Sequence, residues 1–185
     1  MKHHRPRKIT SRVSSVTNGF VQAITPDIAL NLSERSRVLQ ILEIDPDWHS
    51  CAYCGDPAHH WDHLNPYVRN KRPSGYLNEA RNLVPACGPC NTSKSGAPWR
   101  TWISGPAKGS PATRAIADIA ARIRRLEQLE SELALKPVDL AGLVKPELWE
   151  RYWKQLDQIE QLLFAAQRDA EVIRAEITAG LAKRA

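Results

Sequence analysis

Residues 51–67 read CAYCGDPAHHWDHLNPY, and residues 86–94 read ACGPCNTSK. Together they hold all four cysteines of the chain, as two C-x-x-C pairs, Cys51/Cys54 and Cys87/Cys90. Thiols at this spacing suit a tetrahedral S4 zinc site better than redox chemistry, because four thiolates close the coordination sphere of one ion. A disulfide framework is not expected of a chain read as intracellular. Four unrelated buried thiols are the plain alternative. With 32 residues between Cys54 and Cys87, the loop is longer than in a compact zinc ribbon, so something is built inside it.

Three residues in or beside that loop have the chemistry to act on a phosphodiester. The carboxylate of Asp62 is a hard oxygen ligand suited to Mg2+. The imidazole of His63 titrates near neutrality and can take a proton from water. Asn91 follows Cys90 directly, so a metal on the knuckles fixes its position, and its amide oxygen can complete a divalent-metal site facing Asp62. The zinc then braces the two sides of the site. Asp62 and His63 are sequence neighbours, and a strand sends neighbours to opposite faces. Sharing one site therefore requires a bend, for which Pro66 is the candidate.

These residues need elements to hold them. A strand pair is expected through HHWDHLNPY and the segment before NLVPAC, with a long loop marked by Pro66, Pro73 and Gly75. A helix is expected from about Pro89–Asn91, broken by Gly96 and Pro98 before WRTWI. The first 24 residues, basic and Ser/Thr-rich, read as a flexible arm. A helix follows, with Thr25 as N-cap and Pro26 at its first position, though Asn31 and Ser33 can split it. SGPAKGSP (104–111) reads as a linker. Beyond it, Ile116, Ile119, Ile123, Leu126 and Leu133 mark one amphipathic helix. A longer one runs from Leu148 to Ile177, and LKPVDLAGLVKP separates the two, so a helical hairpin is expected. The division is then 1–46 (arm plus helix), 47–104 (core) and 111–185 (hairpin, a candidate dimerisation element).

The formal net charge is +6, which suits an acidic partner without identifying it. Residues 1–12 carry five Lys/Arg and no acid, residues 51–103 six against three, and residues 104–185 thirteen against twelve. The excess thus lies on the N-terminal arm and around the cysteines. No apolar run has the length of a membrane span and no signal-peptide pattern follows the basic start, so an intracellular protein, bacterial or phage in origin, is expected.

The ordered string C-x2-C, DHLNP and NLVPACGPCNTSK resembles the HNH endonuclease family over about residues 49–103. The resemblance implies an α+β chain: a small ββα-metal core with a structural zinc on the four cysteines and mostly helical extensions. It implies that Asp62 is the metal-binding acid of the family's DH pair and His63 the general base. Asn82, in RNLVP, matches the middle asparagine that orients loop and base without touching substrate. Asn91 matches the final position, asparagine in place of histidine and still a metal ligand. The cofactors implied are structural Zn2+ and catalytic Mg2+ or Mn2+, with double-stranded DNA as substrate. Asp62 and Asn91 would hold the catalytic ion at the scissile phosphate while His63 activates water, leaving a 5′-phosphate. The loop NPYVRNKRPSGYLNEAR is longer and more basic than the family's short Gly-rich loop.

Arg69, Lys71, Arg72, Lys94 and Arg100 are the candidate phosphate contacts, each against the alternative of a solvated surface cation. The basic arm is expected to follow a DNA groove. His59 and His60 are read as exposed or loop-bound rather than as ligands. Trp61 is read as core, and Trp99 and Trp102 as covering apolar surface. Within the family, restriction-system enzymes are the nearest likeness and homing or phage-type nicking nucleases the next. A non-catalytic zinc module that binds DNA is the contrasting class, and it needs none of Asp62, His63 and Asn91. A homodimer is expected, since two copies about a two-fold axis most simply cut both strands. Ile173 and Ile177 lie beyond the reach of the shorter helix, and Ala166 and Ala170 permit close approach. An intramolecular hairpin packed on a monomeric nickase is the alternative.

Overall fold

Residues 6–29 and 31–184 are described by the computed structural model. A 3-10 turn, Ile9–Arg12, leads into helix α1 (Val13–Ile24). There follow α2 (Leu32–Ile41), strands β1 (His60–His63), β2 (Val68–Arg69), β3 (Arg72–Pro73) and β4 (Leu83–Ala86), then α3 (Gly88–Lys94) and α4 (Trp99–Ile103). The chain ends in α5 (Ile119–Glu132) and α6 (Pro146–Ala182). Two compact units result: Ile24–Asp139, and Met1–Ala23 together with Leu140–Ala185. The fold is α+β, with small sheets and mostly helical extensions. Among the described residues, no helix is long and apolar enough to cross a membrane.

In the unit Ile24–Asp139, β1 pairs antiparallel with β4, from His60↔Ala86 to His63↔Leu83, and α3 packs on β1. The second strand lies within NLVPAC rather than before it. β2 and β3 form a separate hairpin with Arg69 opposite Arg72. Its two linking residues, Asn70 and Lys71, have φ of 50° and 61°. That left-handed pair gives a two-residue turn the twist its strands require. Helix α2 begins later than expected. The Asn31 side chain accepts the backbone N–H groups of Ser33 and Glu34 at 3.0 and 3.3 Å, and this cap outcompetes the Thr25–Pro26 start. The stretch before it is extended, with Asp27 bridged to Asn78.

Two expectations about the segment after residue 103 are corrected. Residues 104–111 are ordered rather than a free linker: Ser110 is fully buried, its Oγ donates to Gly105 O at 2.7 Å, and Ser93 Oγ donates to Lys108 O at 2.9 Å. Helix α5 is part of the core instead of one arm of a hairpin. Leu126 and Leu129 are fully buried in one cluster with Val38, Leu39 and Trp99. A helical period shows that one face is buried but not what buries it, and here α2 and α4 supply the apolar partners. The chain leaving α5 is tied down at Gly75, which accepts the Val138 N–H at 2.9 Å. A Cβ on Gly75, where φ is +90°, would meet Val138 O at 2.5 Å, so this close approach requires glycine.

In the other unit, the expected flexible arm is helical from Val13. Val13, Val16, Thr17, Phe20, Val21 and Ile24 recur at 3–4 spacing, which the Ser/Thr content between them obscured. This face meets the first half of α6 in antiparallel order. Ile9 N–H donates to Gln167 Oε1 at 2.7 Å, Thr17 Oγ1 to Glu160 Oε1 at 3.3 Å, and Tyr152 OH to Phe20 O at 2.9 Å. Residues 1–5, with Lys2 and Arg5, lie outside the described residues, while Arg7, Lys8 and Arg12 are exposed. Along the second half of α6, Val172, Ile173, Ile177 and Leu181 are exposed.

The placement of α5 has a measurable consequence. Leu129→Ala is expected to lower the stability of the unit Ile24–Asp139 by about 2–5 kcal/mol through transfer and cavity terms. Leu32→Ala, at a side chain 67% exposed in the same unit, is expected to leave the urea midpoint nearly unchanged. Equal midpoints for the two variants would contradict a core role for α5.

Candidate active site

The site grows from two turns. Cys51 and Cys54 lie in a tight turn closed by Gly55 N–H to Cys51 O at 2.9 Å and Cys51 N–H to Asp56 O at 2.7 Å. Cys87 and Cys90 lie at the start of α3, with Pro89 inside the first turn, where its missing N–H costs nothing. All four thiols are buried, and their sulfurs lie within 4.8 Å of one another. Tetrahedral Zn–S bonds of about 2.3 Å place sulfurs roughly 3.8 Å apart, and Cys54 Sγ and Cys87 Sγ are 3.6 Å apart. The donor set and spacing therefore fit one soft divalent ion. Crowding already splits the thiols: hydrogen bonds from Cys54 and Cys90 hold Cys51 down to about 4, and hydrogen bonds from Cys51 and Cys54 push Cys90 up. Two arginines unforeseen in sequence brace the cluster. Arg114 donates to Cys90 Sγ at 3.3 Å and to Asp56 Oδ2 at 2.6 Å, and Arg122 donates to Cys51 O at 3.1 Å.

Between the turns, β1 carries Asp62 and His63. Its pairing with β4 is regular through His63↔Leu83, so no bend occurs within the strand; His63 is the last strand residue, and the Asp62 charge still acts on its ring. Asp62 is 6% exposed and faces α3. Its Oδ2 accepts from Tyr53 OH at 2.7 Å and pairs with Lys94 Nζ at 3.0 Å. Lys94 Nζ also donates to His63 O at 2.7 Å. Burial lowers the Lys94 pKa against the pull of Asp62, and burial with the Asp62 charge raises that of Tyr53. Asp62 Oδ1 has no hydrogen-bond partner among the described residues. Asn91 is half-buried and lies three residues before Lys94, hence on the same side of α3. Helix α3 thus turns Lys94 towards Asp62, with Asn91 one turn before it.

His63, half-buried, lies over Tyr67 with ring centroids 4.8 Å apart. Its Nε2 is 3.0 Å from Asn78 Oδ1, and Asn78 Nδ2 donates to Asp27 Oδ1 at 2.8 Å. Burial lowers the His63 pKa from 6.5, with the Asn78 contact and the Asp62 charge opposing. Asn82 is fully buried. Its Oδ1 accepts Asn65 N–H at 2.9 Å, and its Nδ2 donates to Asn65 O at 2.9 Å and Leu77 O at 3.3 Å. It therefore clamps both ends of the loop between the strands.

Residues 51–96 match the HNH endonuclease family model. No match was found among the curated proteins or among the solved structures. The HNH segment covers both cysteine turns, β1, the loop, β4 and α3, whereas Asp27, Arg114 and Arg122 come from the flanking chain.

The cations expected at phosphates divide sharply. Arg69 and Lys71 are exposed on the β2–β3 hairpin and Arg72 is half-buried beside them. Lys94 is corrected: at 1% exposure and committed to Asp62 and His63 O, it presents no ammonium to DNA. Arg100 is also engaged, with Glu127 at 2.5 Å and Glu130 at 2.7 Å and its guanidinium 4.5 Å from the Trp99 ring centre. His59 and His60 are exposed. Trp99 and Trp102 are buried in the core, while Trp61 is half-buried under the guanidinium of Arg35 at 4.2 Å. Tyr53 and Asn78, which touch Asp62 and His63, carried no sequence signal beyond their type.

Removing the Lys94 ammonium leaves Asp62 buried without its counter-charge. Lys94→Ala is therefore expected to cost about 3–5 kcal/mol, whereas Arg69→Ala should be neutral to stability. Denaturant unfolding of the two variants measures the contrast; a fully stable Lys94→Ala protein would refute the buried pair.

Proposed function

We propose that this chain is a metal-dependent DNA endonuclease in which Zn2+ on Cys51, Cys54, Cys87 and Cys90 is structural. His63 is its general base, and Asp62 and Asn91 hold one catalytic Mg2+ or Mn2+. The observation that carries the reading is the HNH match over 51–96, supported by the Asp62–Lys94 pair between β1 and α3 and by Asn91 following Cys90 of the thiol cluster. Asp62 offers Oδ1 to the ion while Oδ2 stays with Tyr53 and Lys94. Asn91 offers its amide oxygen and is held in place by Cys90. The ion, when bound, supplies positive charge at the scissile phosphate and the leaving 3′ oxygen. His63 takes a proton from the attacking water. Asn82 keeps the loop beside His63 closed without meeting substrate, and Arg69, Lys71 and Arg72 meet the DNA backbone.

Restriction-type cleavage by a homodimer is the finer form of this proposal. It is supported by the exposed Val172, Ile173, Ile177 and Leu181 on α6, which offer a second copy an apolar row. A second reading, a zinc module that binds DNA without cutting it, draws on the Lys94–Asp62 pair, since an ammonium already neutralises the carboxylate.

Incubating purified protein with long mixed-sequence DNA, with and without Mg2+, separates the readings. Mg2+-dependent fragments are expected, discrete for a restriction-type enzyme, and intact DNA would leave the binding module. His63→Ala is expected to abolish cutting while binding persists. A base must be neutral to accept a proton, and burial lowers the His63 pKa below 6.5. Activity should therefore fall on acidification with a midpoint below pH 6.5; a higher midpoint would point to another base.

Zinc removal offers an independent check. A strong chelator is expected to unfold the unit Ile24–Asp139, because binding energy at a four-thiolate site is folding energy. Folded protein that contains no zinc would remove the structural-zinc proposal.

A further inference from the structure

We propose that Asn78 and Asp27 form a positioning relay that pins His63 in one tautomer, with its hydrogen on Nε2 and the Nδ1 lone pair left for the reaction. The mechanistic part of this rests on His63 being the general base. Each link follows from donor and acceptor identity. The Asp27 carboxylate only accepts, so the Asn78 amide must turn Nδ2 towards it, at 2.8 Å. The amide oxygen is then directed at His63 Nε2, 3.0 Å away. A carbonyl oxygen donates nothing, so Nε2 carries the hydrogen, and a neutral imidazole has only one N–H. Nδ1 is consequently the basic nitrogen.

The backbone holds the relay in register. Asp27 and Asn78 form an isolated parallel bridge, and Ile28 N–H donates to Asn78 O at 3.2 Å. The neighbouring Leu77 O is held by the buried Asn82 amide at 3.3 Å, so Asn82 reaches His63 through the loop. Tyr67 limits rotation of the ring from the side. Asp27 lies outside the matched segment 51–96, so this orientation device belongs to the chain's own N-terminal extension. When His63 takes a proton, Nε2–H keeps its acceptor.

Long-range 1H–15N correlation of the imidazole, at a pH where the ring is neutral, reads the tautomer directly. The wild-type chain is expected to show hydrogen on Nε2. Asn78→Ala should yield mixed tautomers and a kcat lower by roughly 10- to 100-fold, the scale of a misplaced catalytic group, with KM little changed. Asp27→Asn keeps a polar partner but no longer dictates which way Asn78 points, so partial loss of both signals is expected. Hydrogen on Nδ1 in the wild type, or an unchanged tautomer in Asn78→Ala, would overturn the relay. A wild-type protein that cuts no DNA, yet loses its Nε2–H tautomer in Asn78→Ala, would remove the nuclease reading and support the relay.

Discussion

Four cysteine sulfurs within 4.8 Å of one another tie the turn before β1 to the first turn of α3, and the rest of the central unit depends on that closure. The sheet it supports has two strands of four residues each, a size that is marginal without further packing. A metal ion on these thiols would convert this weak element into a fixed platform, because ligand bonds replace the area a larger core would bury. The geometry then follows by short steps. Cys90 fixes Asn91, one turn of α3 fixes Lys94, and Lys94 fixes Asp62 on the opposing strand.

The Lys94–Asp62 pair sits where burial is expensive for both charges, and its persistence requires full satisfaction by neighbours. Three contacts meet it at Asp62 Oδ2 and the ammonium, while Asp62 Oδ1 stays open. Tyr53 OH and Lys94 Nζ share Asp62 Oδ2, and the ammonium also binds His63 O. The same ammonium thus holds the side chain of one proposed catalytic residue and the backbone of the next. Lys94 serves the site by rigidity, a role that a surface cation at a phosphate does not have.

How much of this was legible in the sequence depended on whether a residue's partners were local. The cysteine pattern and the helix beginning at the second cysteine pair follow from short-range spacing and the α+β class from the family resemblance, and they agree with the clustered thiols, α3 and the fold. The span of α2 hinged on a choice between two nearby caps, and Asn31 won because its side chain reaches two N–H groups. The loss of the helical hairpin has a different cause: Leu126 and Leu129 announce a buried face, but the identity of α2 as partner is a tertiary fact. Alternation along β1 was legible, and the expected bend does not fall within the strand, which pairs regularly and ends at His63. Asn78 and Asp27 are 51 residues apart, beyond any spacing rule.

Charge illustrates the same limit in energetic terms. A net +6 invites the picture of a uniformly basic surface, yet many arginines of the central unit are already committed. Arg37 pairs with Glu132, Arg81 with Glu79, Arg100 with Glu127 and Glu130, Arg114 with Asp56, Arg122 with Asp118 and Arg125 with Glu43. Exposed pairs of this kind contribute little stability each, but they divert positive potential away from a polyanion. Arg69 stands differently, exposed at the β2–β3 hairpin on the loop that Asn82 clamps. Attraction for a phosphate backbone falls off over a Debye length of about 8–10 Å at moderate salt. What matters for the proposed substrate is therefore where charge outside such pairs lies, and exposed Arg69 on the hairpin of the clamped loop is the candidate.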